Sequence, residues 1–166
     1  MRGAVAETFR DEWLKQIGVD TPIRQENFSY SAKAGTVRGL HCQIAPKAQG
    51  KLVRVLRGEI VDVVVDIRHG SPSFGKLVVM PLKAGEPYQQ LWVPVGFLHG
   101  FVTLVDDTEV LYKMTDVYSP EHERGVAWDD PDLGIPWPIP QTGPIVSERD
   151  KRHPRLRDAP AWFTFG

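Results

Sequence analysis

Only one cysteine, Cys42, occurs in the 166 residues, so no disulfide can close within the chain. That excludes a disulfide-stapled scaffold and suits a reducing compartment, the cytoplasm. Long apolar runs are missing too. No stretch approaches the ~20 residues of a membrane span, and the opening residues lack the apolar centre of a secretory signal. An excess of one charge is also absent: 20 Lys+Arg stand against 21 Asp+Glu, a net charge of −1. Nothing in that balance attracts nucleic acid or an anionic membrane, so any basic site must be local. No repeat, low-complexity tract or linker divides the chain. Residues 1–166 therefore read as one domain, long enough to bury about 70% of its unfolded surface. Hydrophobic residues at 42% and charged residues at 25% are ordinary for a soluble globular protein.

Near the N-terminus Phe9, Trp13 and Ile17 recur at four-residue spacing. Thr8 and Asp11 have capping-box spacing and Gly18 is a stop, which predicts a short amphipathic helix. From residue 23 to about 117 the period becomes two. "GEIVDVVVDIR" puts Val61, Val63, Val65 and Ile67 on one face and Asp62, Val64 and Asp66 on the other. "KLVVMPL", "QQLWVPVGF", "GFVTLV" and "EVLYKMTDVY" follow between Gly, Pro and Asp breaks. Many short strands with turns about every ten residues predict a mainly all-β fold, a β-sandwich or jelly roll. The tail after Asp129 is Pro-rich, with "VSERDKR" as one short helix before the aromatic end "AWFTF".

The stretch "RGLHCQIAPKAQGKLVRV", residues 38–55, reads as two strands carrying Arg38, His41, Lys51 and Arg54 close together. A metal is one use for such a cluster. "PVGFLHGF" has Pro94, Gly96 and His99 in the P-x-G-x-x-H order that delivers a histidine ligand in metal-binding cupins. Their partner motif H-x-H is here His41-Cys42-Gln43, with Lys51 nearby where a glutamate would serve. Too few ligands remain, and an ammonium repels a cation, so the expectation is no metal. Proton transfer is the other use. A neutral imidazole can take a proton from carbon, a lysine can stabilise the enolate, and Tyr112 in "EVLYKMTD" can return a proton from the far wall. Arginines nearby would hold phosphate. On pattern alone, a core histidine and an ordinary strand tyrosine remain the open alternative.

The chain resembles the dTDP-4-dehydrorhamnose 3,5-epimerase family, metal-free sugar-nucleotide epimerases with the cupin jelly-roll fold. The matching stretches are "RG", "AETF", "RQENFSYS", "VRGLHCQ", "QGKLVRVLRGEIVDVVVDIRHGSPSFGK", "QLWVPVGFLHGF", "LYKMTD" and "YSPEHERGVAWDDPDLGIPWP", in family order. The resemblance implies His41 as the base, Tyr112 as the acid and Asp150 in "SERD" as the carboxylate paired with the base. It implies Lys51 and His99 around the sugar ketone. It further implies nucleotide and pyrophosphate contacts from Arg2, Glu7, Gln25, Asn27, Arg38, Glu123 and Arg149, some across a homodimer interface, with Tyr118 beside the nucleotide. No cofactor is implied.

Each of these residues has a plainer reading. Asp150 has the spacing of a capping partner for Ser147, Glu7 and Glu123 that of surface charges, and Arg54 that of an exposed strand face. Arg38 and His41 stand three apart, on opposite faces of a regular strand, unless Gly39 marks a bulge that unites them. The chain also departs from the family: it starts close to the "RG", and Ala4, Val5, Ala6 and Cys42 stand where aromatics are usual. Rival functions are inversion at C3 or C5 alone, and nucleotide-sugar binding without turnover.

Overall fold

The computed structural model describes residues 2–85 and 88–166. Within them, helix α1 (Asp11–Gln16) is followed by β1 (Gln25–Ser31), β2 (Thr36–Gln43), β3 (Lys51–Arg57), β4 (Glu59–Asp66), β5 (Arg68–His69) and β6 (Leu77–Lys83). Then come β7 (Gln90–Val93), β8 (Phe97–Thr103), β9 (Thr108–Met114), β10 (Glu123–Gly125), β11 (Ile145–Val146) and β12 (Phe163–Thr164). One antiparallel sheet has the order β1-β9-β3-β7 and the other β10-β2-β8-β4-β6, with β11 also on β2. This is the jelly-roll sandwich expected from the period-two pattern, with short helical turns near both ends.

The alternation in "GEIVDVVVDIR" explains how β4 serves two cores. Ile60 and Val64 face the interior between the sheets, beside Val53, Val55, Leu82, Val93, Phe101 and Val110. Val63, Val65 and Ile67 face the other way, where the C-terminal tail covers them with Leu133, Ile135, Trp137, Trp162 and Phe163. Each such side chain contributes about 1.5–3 kcal/mol on burial. The tail is therefore a third layer, and its residues 147–153 are brought against the edge of β2. Asp66 is tolerated in this setting because it is saturated with donors: Arg68 (2.9 and 2.7 Å), Ser71 (2.7 Å) and Ser73 (2.6 Å). The bonds from Arg68, Ser73 and Ser71 outweigh burial and hold its carboxyl well below the usual range.

The N-terminal helix differs from its expected form. It spans only Asp11–Gln16, Arg10 is its N-cap, and no side chain caps it, so Thr8 and Asp11 make no capping box. Its buried residue is Leu14, while Trp13 and Ile17 are exposed. Six residues are too few to turn one face inward from Phe9 to Ile17, and Ile17 already lies at the C-cap.

Candidate active site

A cavity of about 670 Å³ opens between the two sheets. Its lining includes Asn27, Arg38, His41, Lys51, His99, Tyr112, Tyr118, Glu123, Arg149 and Asp150. Strand register explains this convergence. Asn27 pairs with Tyr112, Tyr112 with Val53, and Lys51 with Met114. Paired residues share a face and alternate residues repeat it, so Asn27, Lys51 and Tyr112 project together from the four-stranded sheet. On the six-stranded sheet His41 lies directly opposite His99. His41 and Tyr112 thus come from different walls of one cavity.

Arg38 reaches the same cavity because β2 is irregular between Arg38 and His41. The bulge expected at Gly39 is present. Gly39 has φ of +120°, and a Cβ there would stand 2.6 Å from Gly100 Cα and 2.7 Å from the His99 carbonyl oxygen. Only glycine fits such a position. The outer edge of β2 is also interrupted here: β11 pairs with Thr36 and Val37, and β10 with residues His41 to Gln43. Into that gap comes Asp150, whose Oδ2 accepts the Gly39 N–H at 3.3 Å.

The other oxygen of Asp150 lies 2.9 Å from His41 Nε2. Burial raises the Asp150 pKa, but the hydrogen bonds with His41, the Gly39 N–H and Ser147 outweigh it and keep the group ionised, well below the usual range. A carboxylate only accepts, so the His41 proton sits on Nε2 and the lone pair on Nδ1. Both readings of "SERD" hold together. The Asp150 N–H donates to Ser147 Oγ at 3.0 Å, while the carboxylate turns to His41.

His99 forms a second buried pair, Nε2 to Asp62 Oδ2 at 2.9 Å. Burial depresses the Lys51 ammonium below its ordinary value, against the pull of nearby Glu123 and Asp62. Desolvation likewise pushes the Cys42 thiol up to about 12, so it stays protonated. At the cavity mouth Glu123 Oε2 accepts from Tyr118 Oη (2.8 Å) and Arg149 Nη1 (2.6 Å). Arg38 is anchored by Ser31 Oγ (3.2 Å) and the Tyr30 carbonyl (2.9 Å). Gln25 stands behind the lining, donating to Asn27 Oδ1 and accepting the Tyr118 N–H, both at 2.8 Å. Arg2 and Glu7 are outside this cavity. They lie in the exposed N-terminal segment, where Glu7 pairs with Arg10. Arg54 is half-buried rather than fully exposed.

Two residues escape sequence reasoning. Asp62 is one more acidic residue in a strand until its total burial is seen; a charge inside a valine run was the available signal. His153 follows Asp150 by three residues, and the 3-10 turn Asp150–Arg152 folds it back. Its ring meets that of His41 edge-on, with centroids 5.3 Å apart. Burial, then the neighbouring His41, lowers its pKa.

A base held by a carboxylate, a facing tyrosine, a buried amine and arginines at the mouth suit proton transfer on an anionic carbonyl compound. Comparisons with known proteins agree with this chemistry. The family model described as dTDP-4-dehydrorhamnose 3,5-epimerase matches residues 1–158. A protein of that name from Sinorhizobium fredii is 50% identical over 164 residues, 99% of this chain and 83% of its own. The crystal structure of the Bacillus anthracis enzyme with TDP and PPi bound has a TM-score of 0.87 at 47% identity, covering 93% of this chain and 86% of that one. A Legionella pneumophila dTDP-6-deoxy-D-glucose-3,5-epimerase in complex with dTDP-4-keto-L-rhamnose has a TM-score of 0.90 at 39% identity, over 96% and 85%. The jelly roll is accordingly of the cupin type, and the chain belongs to the dTDP-4-dehydrorhamnose 3,5-epimerase family.

Proposed function

We propose that this protein inverts C3 and C5 of dTDP-4-dehydro-6-deoxyglucose to give dTDP-4-dehydrorhamnose, an isomerase reaction within deoxysugar biosynthesis. The observation that carries the reading is the placing of the His41–Asp150 pair and Tyr112 on opposite walls of one cavity. The C4 ketone acidifies the hydrogens on C3 and C5. His41 Nδ1 takes one of them as Asp150 stabilises the imidazolium, and Lys51, with His99, faces the enolate charge. Tyr112 then delivers a proton to the opposite face, which inverts the carbon. Proton transfer and charge stabilisation account for every step, so no metal or organic cofactor takes part.

Arg38 and Arg149 are the diphosphate contacts, with Tyr118, Asn27, Gln25 and Glu123 around the nucleoside. Arg2 and Glu7, outside their own chain's cavity, serve the site of a second copy in a homodimer. The outer face of the four-stranded sheet supports that assembly: Phe28 and Tyr30 are 57% and 48% exposed there, beside Leu111 and Glu109 of β9 in register. A buried, unpaired thiol suits the reducing cytoplasm, where we place the reaction. An NMR time course with dTDP-4-keto-6-deoxyglucose in deuterated water tests the reading. Deuterium at both C3 and C5 is expected; exchange at a single carbon means a mono-epimerase, and none means a binding protein without turnover.

A further inference from the structure

His153 has no part in the proton transfers, yet it is built into the site. Its Nε2 is buried and has no hydrogen-bond partner among the described residues, and it lies 3.7 Å from Asp150 Oδ1. Its position is fixed from below. A Cβ on Gly125 would fall 2.4 Å from Nε2, and the Ala127 N–H holds the next carbonyl, that of Pro154, at 2.8 Å. One ligand atom each from His41, Asp150 and His153 can be taken within 4.8 Å of one another.

From these contacts we infer that His41, Asp150 and His153 form an inhibitory binding site for a divalent transition-metal ion of the Zn²⁺ class. Two imidazoles and one carboxylate are a donor set such ions favour, leaving a fourth position for water. Tetrahedral bonds of about 2.0–2.1 Å set ligand atoms roughly 3.3 Å apart. The observed separations of 2.9 Å (His41 Nε2 to Asp150 Oδ1) and 3.7 Å (His153 Nε2 to the same oxygen) bracket that spacing. The site differs from the H-x-H arrangement whose second histidine is missing here, since two of its three ligands, Asp150 and His153, come from the C-terminal tail. Arg149 Nε, 3.5 Å from Asp150 Oδ1, opposes the ion by like charge. The ion is therefore exchangeable rather than structural.

Occupancy stops catalysis through the His41 tautomer. Free, the ring carries its proton on Nε2 and its lone pair on Nδ1. A metal on Nε2 takes the lone pair there, so the neutral ring must carry its proton on Nδ1. The base has then lost its acceptor, with no change in proton count. This consequence rests on His41 being the base; the binding itself does not.

The test is equilibrium dialysis of the native protein against Zn²⁺, with Co²⁺ absorption as a second probe, alongside epimerisation assays. The wild type should bind one ion per chain, lose epimerisation in proportion, and regain it with chelator. His153→Ala and His153→Gln should keep epimerisation, lose stoichiometric binding, and need at least about tenfold more Zn²⁺ for inhibition. Two substitutions guard against one that misfolds. Absence of one-to-one binding by the wild type, or equal Zn²⁺ sensitivity in both variants, overturns the inference. One-to-one binding through His153 by a protein with no metal-free epimerisation would uphold the site and sink the proposed function instead.

Discussion

Replacing Asp150 by Asn tests how the base is held. The carboxylate is 4% exposed and its Oδ1 sits 2.9 Å from His41 Nε2. Proton abstraction turns His41 into an imidazolium beside that anion, so the contact strengthens towards the transition state. A hydrogen bond to a charged group is worth about 1.5–3 kcal/mol, and each 1.36 kcal/mol is tenfold in rate. Asp150→Asn should therefore lower kcat by about 10- to 150-fold if the amide oxygen faces the ring. Should the amide nitrogen face it instead, the proton moves to Nδ1 and the loss approaches roughly 10⁴-fold. Asp150 Oδ1 also lies 3.5 Å from Arg149 Nε, one of the diphosphate arginines, so calorimetric affinity for dTDP should shift by less than the fall in kcat. The assay is the rate of deuterium wash-in and of inversion, which should fall together. An unchanged kcat, or a loss of dTDP affinity that accounts for the whole effect, refutes the reasoning.

Arg38→Ala should weaken binding of bare dTDP by about tenfold or more, since one charge-assisted contact is lost; normal affinity by calorimetry removes Arg38 from the diphosphate site. Gly39→Ala should destabilise the fold by several kcal/mol, roughly the cost of backbone strain plus overpacking, and a Tm within a few degrees of wild type contradicts the close approach to Gly100. Asp66 has a folded pKa held far below its ordinary 3.8. Its stabilisation is complete above that value and disappears as pH falls through the depressed one. Acid unfolding followed by circular dichroism should thus be flatter in Asp66→Asn, and an unaltered acid limb counts against the Arg68 clamp.

The jelly roll was legible because period-two alternation survives along β1 and β9, where one face meets the core between the sheets, and along β4, where each face meets a core. The N-terminal helix misled, since Phe9, Trp13 and Ile17 have helical spacing but only Leu14 finds something to pack against. His41, Lys51 and Tyr112 could be placed from strand register, and the bulge at Gly39 follows from a glycine where two cations had to meet. Asp150 lies 109 residues from His41. No periodicity joins them, and the resemblance carried that pairing. Asp62 and His153 stayed hidden for a related reason: one needed its burial and the other the return of the tail, both tertiary facts. Arg2 and Glu7 remain outside the cavity, in the exposed N-terminal segment, and no strand register carries them to it.

The division of labour between the two walls is tested most directly by comparing His41→Asn and Tyr112→Phe for solvent-deuterium exchange and inversion in one NMR experiment. Without its base, His41→Asn should show neither, as no enolate forms. Tyr112→Phe should still let His41 remove a proton and return a deuteron to the original face, giving exchange with little inverted product. Retained exchange in His41→Asn, or unchanged inversion in Tyr112→Phe, would contradict the assignment of base and acid.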